Sequence, residues 1–280
     1  MIGIYSTYFL GRKQKERMIK ASIIIPCKSN EQNISRALLS VAQEELNNEI
    51  LIGLDGHNES TENLILGYQL ANVKLIIFPE ETGISKILNS LIQRSQGEYI
   101  VRMDADDISY PNRLRYQIEL LDSMPDVHML CGNASNFIGE NIGRGASRQI
   151  ACSELLRLNS IIHPTVVFRN LLFSPNSKFL YGPWYKKSQD YELWTRIARK
   201  HKIFYDDKPI LIYNSSLELK KYTIQHYYFS IANVKNLVWH VNPFNNCNCS
   251  SKEIILAIVT SYTLFTAYLK VLIRYNRDKR

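Results

Sequence analysis

Residues 98–107 read EYIVRMDADD, an apolar run that predicts a buried strand and ends in three carboxylates. Because side chains alternate across an extended chain, Asp104 and Asp106 would point to one face and Asp107 to the other. Two carboxylates that face one ion suit Mg²⁺ or Mn²⁺, which take their remaining ligands from phosphate oxygens and water. The stretch therefore predicts a divalent-metal site that holds a diphosphate. The alternative is a solvated acidic turn that caps the helix starting near Pro111.

Strands and helices alternate regularly in the first half of the chain. Continuous apolar runs predict four buried strands, at residues 21–25, 49–54, 73–78 and 98–103. Apolar residues at helical spacing predict helices between them, at residues 34–41, 64–70 and 84–92. This alternation is typical of a parallel α/β sheet, in which ligands lie at the carboxyl ends of the strands. Asp55, after the second strand, and the acidic stretch after the fourth both fall at such ends.

The pattern is less regular after the fourth strand. Further strands are predicted at residues 127–131 and 165–168, and further helices at residues 114–121 and 189–200. Residues 132–148 are rich in Gly and Asn, which predicts a hairpin or a loop. Since no internal repeat or low-complexity linker interrupts the chain, we expect no hard domain boundary.

The charge of the chain is concentrated at its two ends. The net charge is +8, and residues 1–20 and 270–280 each contribute +4, so the residues between them are neutral overall. A nucleic-acid binder spreads its basic residues over a groove-lining face, so we expect no nucleic-acid partner. Two basic ends suit an anionic membrane surface better. A content of 45% hydrophobic and 21% charged residues argues against disorder.

Cellular location is indicated by the cysteines and the two ends of the chain. Five cysteines are an odd number, and the apolar N-terminus has its basic residues in the wrong order for a signal peptide, so we expect a reducing cytoplasm. Residues 254–269 carry no charge, but polar residues recur there every three or four positions. This pattern favours an amphipathic helix that lies in the membrane interface. The alternatives are a helix packed on the domain or in a homodimer, and a helix that spans the bilayer.

Several short motifs, in order over residues 21–214, resemble the family 2 glycosyltransferases with the GT-A fold. More narrowly, they resemble the bacterial branch that builds surface polysaccharides and exopolysaccharides. The motifs are Ile23-Ile24-Ile25-Pro26, Asp55-Gly56, Asn89, Gly97-Glu98-Tyr99-Ile100 leading into Arg102-Met103-Asp104-Ala105-Asp106-Asp107, Pro111-x-Arg113-Leu114-x-x-Gln117, His163-Pro164-Thr165 and Asp190-Tyr191-x-Leu193-Trp194-x-Arg196. The resemblance implies an α/β fold in which a Rossmann-like, nucleotide-binding parallel sheet merges with an acceptor-binding half.

On the donor side, the resemblance implies a UDP-sugar bound with Mn²⁺ or Mg²⁺. Asp106 would bind the metal through the diphosphate, and Asp104 would lie near the ribose or act as a second ligand. Asp55 would hydrogen-bond the uracil ring, although Asp at this position also suits a helix cap or a turn. The remaining donor-binding residues that the resemblance implies are Pro26, Lys28, Asn89, Arg102 and Ala105.

On the acceptor side, a hydroxyl group must lose a proton as it attacks the anomeric carbon, so a carboxylate must lie within hydrogen-bond reach. By resemblance, Asp190 is this general base, since it aligns with the second acid of the family's Glu-Asp pair. Gln189 replaces the first acid. A helix cap is the alternative role for Asp190. Trp184 and His163 are further acceptor-side candidates, with a core histidine as the alternative for His163.

The sequence departs from the family pattern at several positions. Lys28 replaces an aromatic residue and can meet a phosphate instead of stacking on the base, and Asn214 replaces a usual Arg. These departures, with Gln189, leave open a catalytically silent subunit that binds nucleotide sugars or serves as a scaffold. A nucleotidyltransferase ranks last, because residues 26–30 lack the glycines of a phosphate loop.

The sequence thus predicts an inverting, metal-dependent glycosyltransferase at the inner face of the cell membrane. Its acceptor would be a lipid-linked glycan in polysaccharide, O-antigen or lipooligosaccharide synthesis. We expect a basic segment at residues 1–20, a glycosyltransferase domain at 21–214 and a helical, membrane-associated extension at 215–280. Within the domain, residues 21–131 would form the nucleotide-sugar half and residues 132–214 the acceptor half.

Overall fold

The computed structural model describes residues 18–28, 33–143, 145–155, 159–174, 179–185, 187–214 and 259. Its strands are Ala21–Lys28 (β1), Asn48–Asp55 (β2), Val73–Phe78 (β3), Tyr99–Arg102 (β4), Ile108–Ser109 (β5), Val127–Ser135 (β6), Arg148–Ile150 (β7), Val167–Arg169 (β8) and Lys202–Ile212 (β9). Its α-helices are Ile34–Ala42 (α1), Glu59–Gly67 (α2), Ile84–Arg94 (α3), Arg113–Asp122 (α4), Cys152–Leu155 (α5) and Gln189–Ala198 (α6). Short 3₁₀-helices lie at His163–Thr165 and Asn170–Phe173.

All these strands belong to one mixed sheet. Its order is β3-β2-β1-β4-β8-β6-β9-β5, and β7 pairs with β9. The first four strands are mutually parallel, as the sequence predicted, whereas β8 runs antiparallel to both β4 and β6. Strand order reverses between β1 and β4, which makes the carboxyl ends of these two strands the switch point where ligands bind in such sheets.

The sheet is covered on both faces, which explains the continuous apolar run of β1. Ile24 belongs to one core cluster, and Ile23 and Ile25 belong to another on the opposite face. The cluster of Ile24 includes apolar residues of α3 and α6, and the other cluster includes apolar residues of α1 and α4. The site edge of the sheet is therefore held between two buried layers.

The sequence placed some elements wrongly. Helix α2 begins at Glu59 rather than at residue 64, because the Asn58 side chain accepts a hydrogen bond from the Thr61 N–H at 2.9 Å and so caps an earlier turn. The hairpin predicted within 132–148 is present, since Ser135 forms an antiparallel bridge to Asn141, but residues 132–135 are the end of β6. Strands β5, β7 and β9 were not predicted from the sequence.

Both predicted terminal segments lie largely outside the described residues, which include only residues 18–20 of the first and Val259 of the second. The amphipathic helix predicted at 254–273 is therefore outside them except for that one residue. Within the described ranges, no helix is both long and apolar enough to cross a membrane.

Candidate active site

The acidic loop at residues 104–107 follows β4 at the switch point. It turns at Ala105 and Asp106 instead of continuing as a strand, so the predicted separation of Asp107 from Asp104 and Asp106 holds in burial but does not come from strand alternation. Asp104 and Asp106 are half-buried, whereas Asp107 is fully buried. The loop therefore presents Asp104 and Asp106 toward solvent and keeps Asp107 inside.

Asn214, which follows β9, fastens this loop from the other half of the chain. Its backbone N–H donates to Asp107 Oδ1 at 2.9 Å, and its side-chain Nδ2 donates to Asp106 Oδ2 at 3.4 Å. The sequence marked Asn214 only as the replacement of a basic residue. Its partners are 107 and 108 residues away along the chain, so no local pattern indicates these contacts.

Arg102 lies at the centre of the site and is 1% exposed. Its Nη2 contacts Asp104 Oδ1 at 2.6 Å, whereas its Nε and Nη1 atoms have no hydrogen-bond partner in the described part of the chain. Its positive charge opposes the rise in the pKa of Asp107 and of Asp190, and it lowers the pKa of His163. One buried guanidinium thus acts on carboxylates of both halves.

The donor set of the acidic loop fits Mg²⁺ or Mn²⁺. Among the described residues, no group of three or more His, Cys, Asp or Glu could hold a metal by itself. Two half-buried carboxylates, Asp104 and Asp106, match an ion that takes its other ligands from phosphates and water. Burial and the neighbouring charge of Asp104 raise the pKa of Asp107 to about 8, which favours its neutral form, and within the described residues its Oδ2 atom has no hydrogen-bond partner. Asp104 and Asp106, and not Asp107, are therefore the carboxylates of this loop that would face a cation.

Asp55 and Lys28 end adjacent strands and are register partners. Asp55 Oδ1 accepts a hydrogen bond from the Thr82 N–H at 2.6 Å, and Asp55 Oδ2 accepts from the Gly83 N–H at 3.2 Å. Asp55 therefore stabilises the turn before α3, while the cap of α2 is Asn58. The Lys28 side chain is exposed beside Asp55, and Pro26 and Ala105 are buried.

Asn89 of α3 ties the two halves of the site together. Its Nδ2 donates to the Tyr181 carbonyl at 2.9 Å, and its Oδ1 accepts from the Tyr181 N–H at 2.8 Å. The Tyr181 hydroxyl in turn lies 2.8 Å from His163 Nε2, in a hydrogen bond. Trp194 contacts both rings, with centroid distances of 5.5 Å to His163 and 6.3 Å to Tyr181. Tyr181, which the sequence did not single out, is thus the link from Asn89 to His163.

His163 is held as a neutral side chain. Burial, and then the charge of Arg102, lower the pKa of His163 well below its usual value. A histidine that packs against Tyr181 and Trp194 matches the core alternative raised by the sequence. Through Nε2, however, His163 is hydrogen-bonded to Tyr181, which belongs to the segment that precedes α6.

Asp190 lies in the first turn of α6 and is half-buried. The cap position is Ser188, so the alternative of an N-cap role for Asp190 does not hold in this structure. Asn159 Nδ2 donates to Asp190 Oδ2 at 3.3 Å. Burial raises the pKa of Asp190, and the backbone N–H of Tyr191, Asn159 and Arg102 oppose that rise. The arrangement therefore gives a carboxylate that is more basic than an exposed aspartate.

The other acceptor-side candidates differ in exposure. Gln189 is buried, and its Oε1 atom has no hydrogen-bond partner in the described ranges. Trp184 is 88% exposed. Its neighbour Pro183 lines a cleft of about 480 Å³ together with Lys86 and Gln93 of α3.

Comparisons with known proteins show the family of this chain. The model of glycosyl transferase family 2 matches residues 22–211. The uncharacterized glycosyltransferase RT0329 of Rickettsia typhi is 28% identical over 216 residues, which cover 71% of this chain and 65% of the relative, so less than two thirds of that relative is matched. The Escherichia coli UDP-Glc:alpha-D-GlcNAc-diphosphoundecaprenol beta-1,3-glucosyltransferase WfgD is 27% identical over 188 residues, or 65% of this chain and 71% of WfgD.

The fold also matches solved structures. The crystal structure of S. aureus TarS 1-349 in complex with UDP-GlcNAc has a TM-score of 0.65 and 18% sequence identity, and covers 85% of this chain and 70% of that one. At this identity the likeness concerns the fold alone, which is the GT-A fold expected from the sequence. The family match over residues 22–211 shows that the chain belongs to glycosyl transferase family 2.

Proposed function

We propose that this glycosyltransferase moves a sugar from a UDP-sugar to a hydroxyl group of a lipid-linked glycan, with inversion at the anomeric carbon. The product would enter polysaccharide, O-antigen or lipooligosaccharide synthesis. Support comes from TarS, which was crystallised with UDP-GlcNAc, and from WfgD, whose name specifies UDP-Glc and a diphosphoundecaprenol acceptor. The observation that carries the proposal is Arg102, whose buried guanidinium contacts Asp104 at 2.6 Å and whose charge opposes the rise in the pKa of Asp190.

On the donor side, Asp106 and Asp104 would hold Mn²⁺ or Mg²⁺. When bound, the ion supplies a Lewis acid that neutralises the charge of the departing diphosphate. Arg102 orients Asp104 through the contact of 2.6 Å. Asp55 lies at the end of β2, where it would meet the uracil ring, and the exposed ammonium of Lys28 next to it suits a phosphate.

On the acceptor side, Asp190 would act as the general base. As the acceptor oxygen forms its bond to the anomeric carbon, its proton moves to a carboxylate oxygen of Asp190, and the bond from that carbon to the diphosphate breaks. A raised pKa makes Asp190 a stronger base than an ordinary aspartate. Attack opposite the leaving group in one step accounts for the inversion.

The place of action would be the inner face of the cell membrane. This part rests on the sequence, namely the two basic ends and the amphipathic pattern at 254–273. Removal of residues 250–280 should then move the protein from the membrane fraction to the soluble fraction of a cell lysate. Full-length protein recovered in the soluble fraction would contradict this placement.

The proposal is tested by UDP release from UDP-Glc and UDP-GlcNAc, with and without Mn²⁺, in the presence of GlcNAc-diphosphoundecaprenol. Asp190→Asn should lose transfer by roughly 10²- to 10⁴-fold, the usual share of a general base, and should still bind the UDP-sugar. Asp126→Asn is the matched control, since the Asp126 side chain is 80% exposed in an ion pair with Lys202. Unchanged transfer by the Asp190 variant would refute the base assignment.

The same assay distinguishes an active transferase from the main alternative, a catalytically silent subunit. Gln189, in place of the family's first acid, favours a silent subunit that binds the donor without transferring it. Wild-type protein that binds UDP-sugars and releases no UDP with any acceptor would establish that alternative.

A further inference from the structure

Two buried side chains of α4 join the donor and acceptor sides of the site. Arg113 is 2% exposed and Gln117 is 1% exposed. Arg113 Nη2 donates to the Arg102 carbonyl at 3.0 Å and to the Pro164 carbonyl at 2.6 Å. Arg113 Nε donates to Gln117 Oε1 at 2.9 Å, and Gln117 Nε2 donates to the Thr165 carbonyl at 2.9 Å. The pair thus contacts three backbone carbonyls in two segments.

These carbonyls lie just past the end of the β4–β8 ladder, where the sheet no longer joins the two segments. The β4 and β8 ladder runs from Tyr99 with Arg169 to Val101 with Val167. Past that point, one backbone hydrogen bond continues it, from the Arg102 N–H to the Val166 carbonyl at 2.9 Å. The first segment then leads to the acidic loop, and the second leads back to His163. Arg113 and Gln117 therefore hold the segments at the point where they diverge toward the two halves of the site.

The choice of residues is costly for stability alone. Burial lowers the pKa of Arg113 to about 10, although the charges of Asp107 and Glu44 oppose this, and its side-chain hydrogen bonds all go to neutral oxygens. Apolar residues of similar volume often stabilise a core at least as well as a buried charge does. A planar guanidinium does offer a fixed fork of donors that an apolar residue or a lysine cannot reproduce.

We infer that Arg113 and Gln117 are positioning residues that set the distance between the acidic loop and the His163 turn. This inference rests on the proposed function, because the distance matters only if donor and acceptor meet at this site. A displacement of about 1 Å in a reacting arrangement can cost roughly 100-fold in rate. Substrate binding on either side would change far less.

Arg113→Lys tests the inference, because it keeps the charge and removes the fork. We expect kcat for UDP release to fall about 10- to 100-fold, while the KM of the UDP-sugar and the Kd of UDP with Mn²⁺ stay within about threefold. Gln117→Met removes both hydrogen bonds of the Gln117 side chain at similar volume, and it should likewise lower kcat with little change in KM and Kd. If Arg113→Lys does not fold, Gln117→Met tests the inference in its place.

Arg169 provides a matched control at the opposite end of β8. It donates to the Val127 carbonyl at 2.9 Å and to the Leu121 carbonyl at 2.7 Å, so Arg169→Lys also breaks a bridge between carbonyls. It should lower the unfolding midpoint in urea as Arg113→Lys does, and leave kcat unchanged. Equal losses of kcat in the two lysine variants, or an unchanged kcat in Arg113→Lys, would overturn the inference. Absence of turnover in the wild type would instead overturn the proposed function, and the inference with it.

Discussion

The double hydrogen bond between Asn89 and the Tyr181 backbone gives a quantitative prediction. Asn89→Ala removes one bond of 2.9 Å and one of 2.8 Å, and leaves a backbone N–H and a carbonyl of a buried residue without these partners. At about 1 kcal/mol for each bond, the free energy of unfolding should fall by about 2 kcal/mol. Asn89→Asp keeps the acceptor but sets a carboxylate oxygen against the Tyr181 carbonyl, so its loss should be at least as large as that of Asn89→Ala.

The assay is equilibrium unfolding in urea, followed by kinetics on the same preparations. Asn170→Ala is the control, since Asn170 Nδ2 donates a single bond, at 2.7 Å, to the Gly97 carbonyl. It should cost about 1 kcal/mol and leave kcat unchanged, whereas Asn89→Ala should also lower kcat because Tyr181 anchors His163. Equal unfolding free energies for Asn89→Ala and the wild type would refute the reasoning. So would an unchanged kcat in an otherwise destabilised Asn89→Ala variant.

Three further outcomes are expected. Asp106→Ala should abolish the Mn²⁺-dependent part of UDP release, and a variant with full metal-stimulated activity would show that Asp106 is not a ligand. Trp184→Ala should raise the KM of the glycan acceptor several-fold. The unfolding midpoint should not change, because the ring is 88% exposed and contributes little to the core. An unchanged acceptor KM would show that Trp184 does not contact the acceptor. The rate should fall as the pH drops through the pKa of Asp190, since only the ionised carboxylate accepts a proton. Because burial raises that pKa, the loss should begin at a higher pH than it would for an exposed aspartate, and a rate independent of pH across the acidic range would contradict the assignment.

The parallel half of the fold could be predicted because each strand carries its own signal. Ile23, Ile24 and Ile25 are apolar on both faces of β1, and the structure buries them in two separate clusters. Strand β9 carries no such signal, because three charged residues, Asp206, Asp207 and Lys208, interrupt its apolar pattern. The pairing of β9 with β6 contains register shifts, so its hydrogen bonds depend on the partner strand rather than on a regular period.

The candidate site could be predicted from the sequence only as a set of residue types. The acidic loop, Asp55 and Asp190 were identified by position after strands or by motif. The sequence also assigned Asn89 to the donor, whereas the structure commits both ends of its amide to Tyr181. Local patterns do not reveal such a partner, since it lies 92 residues further along the chain.

The sequence by itself determined the family, the parallel sheet and the carboxylates at its switch point, because apolar periodicity and motif order are properties of short segments. The tertiary structure alone decided how these parts are held. It brings Asn214 to the acidic loop, Tyr181 to Asn89, and the carbonyls of Arg102 and Pro164 to Arg113. These contacts depend on where distant loops return to the sheet, and the folding of the whole core fixes those positions. The spacing between donor and acceptor groups is therefore a property of the folded chain.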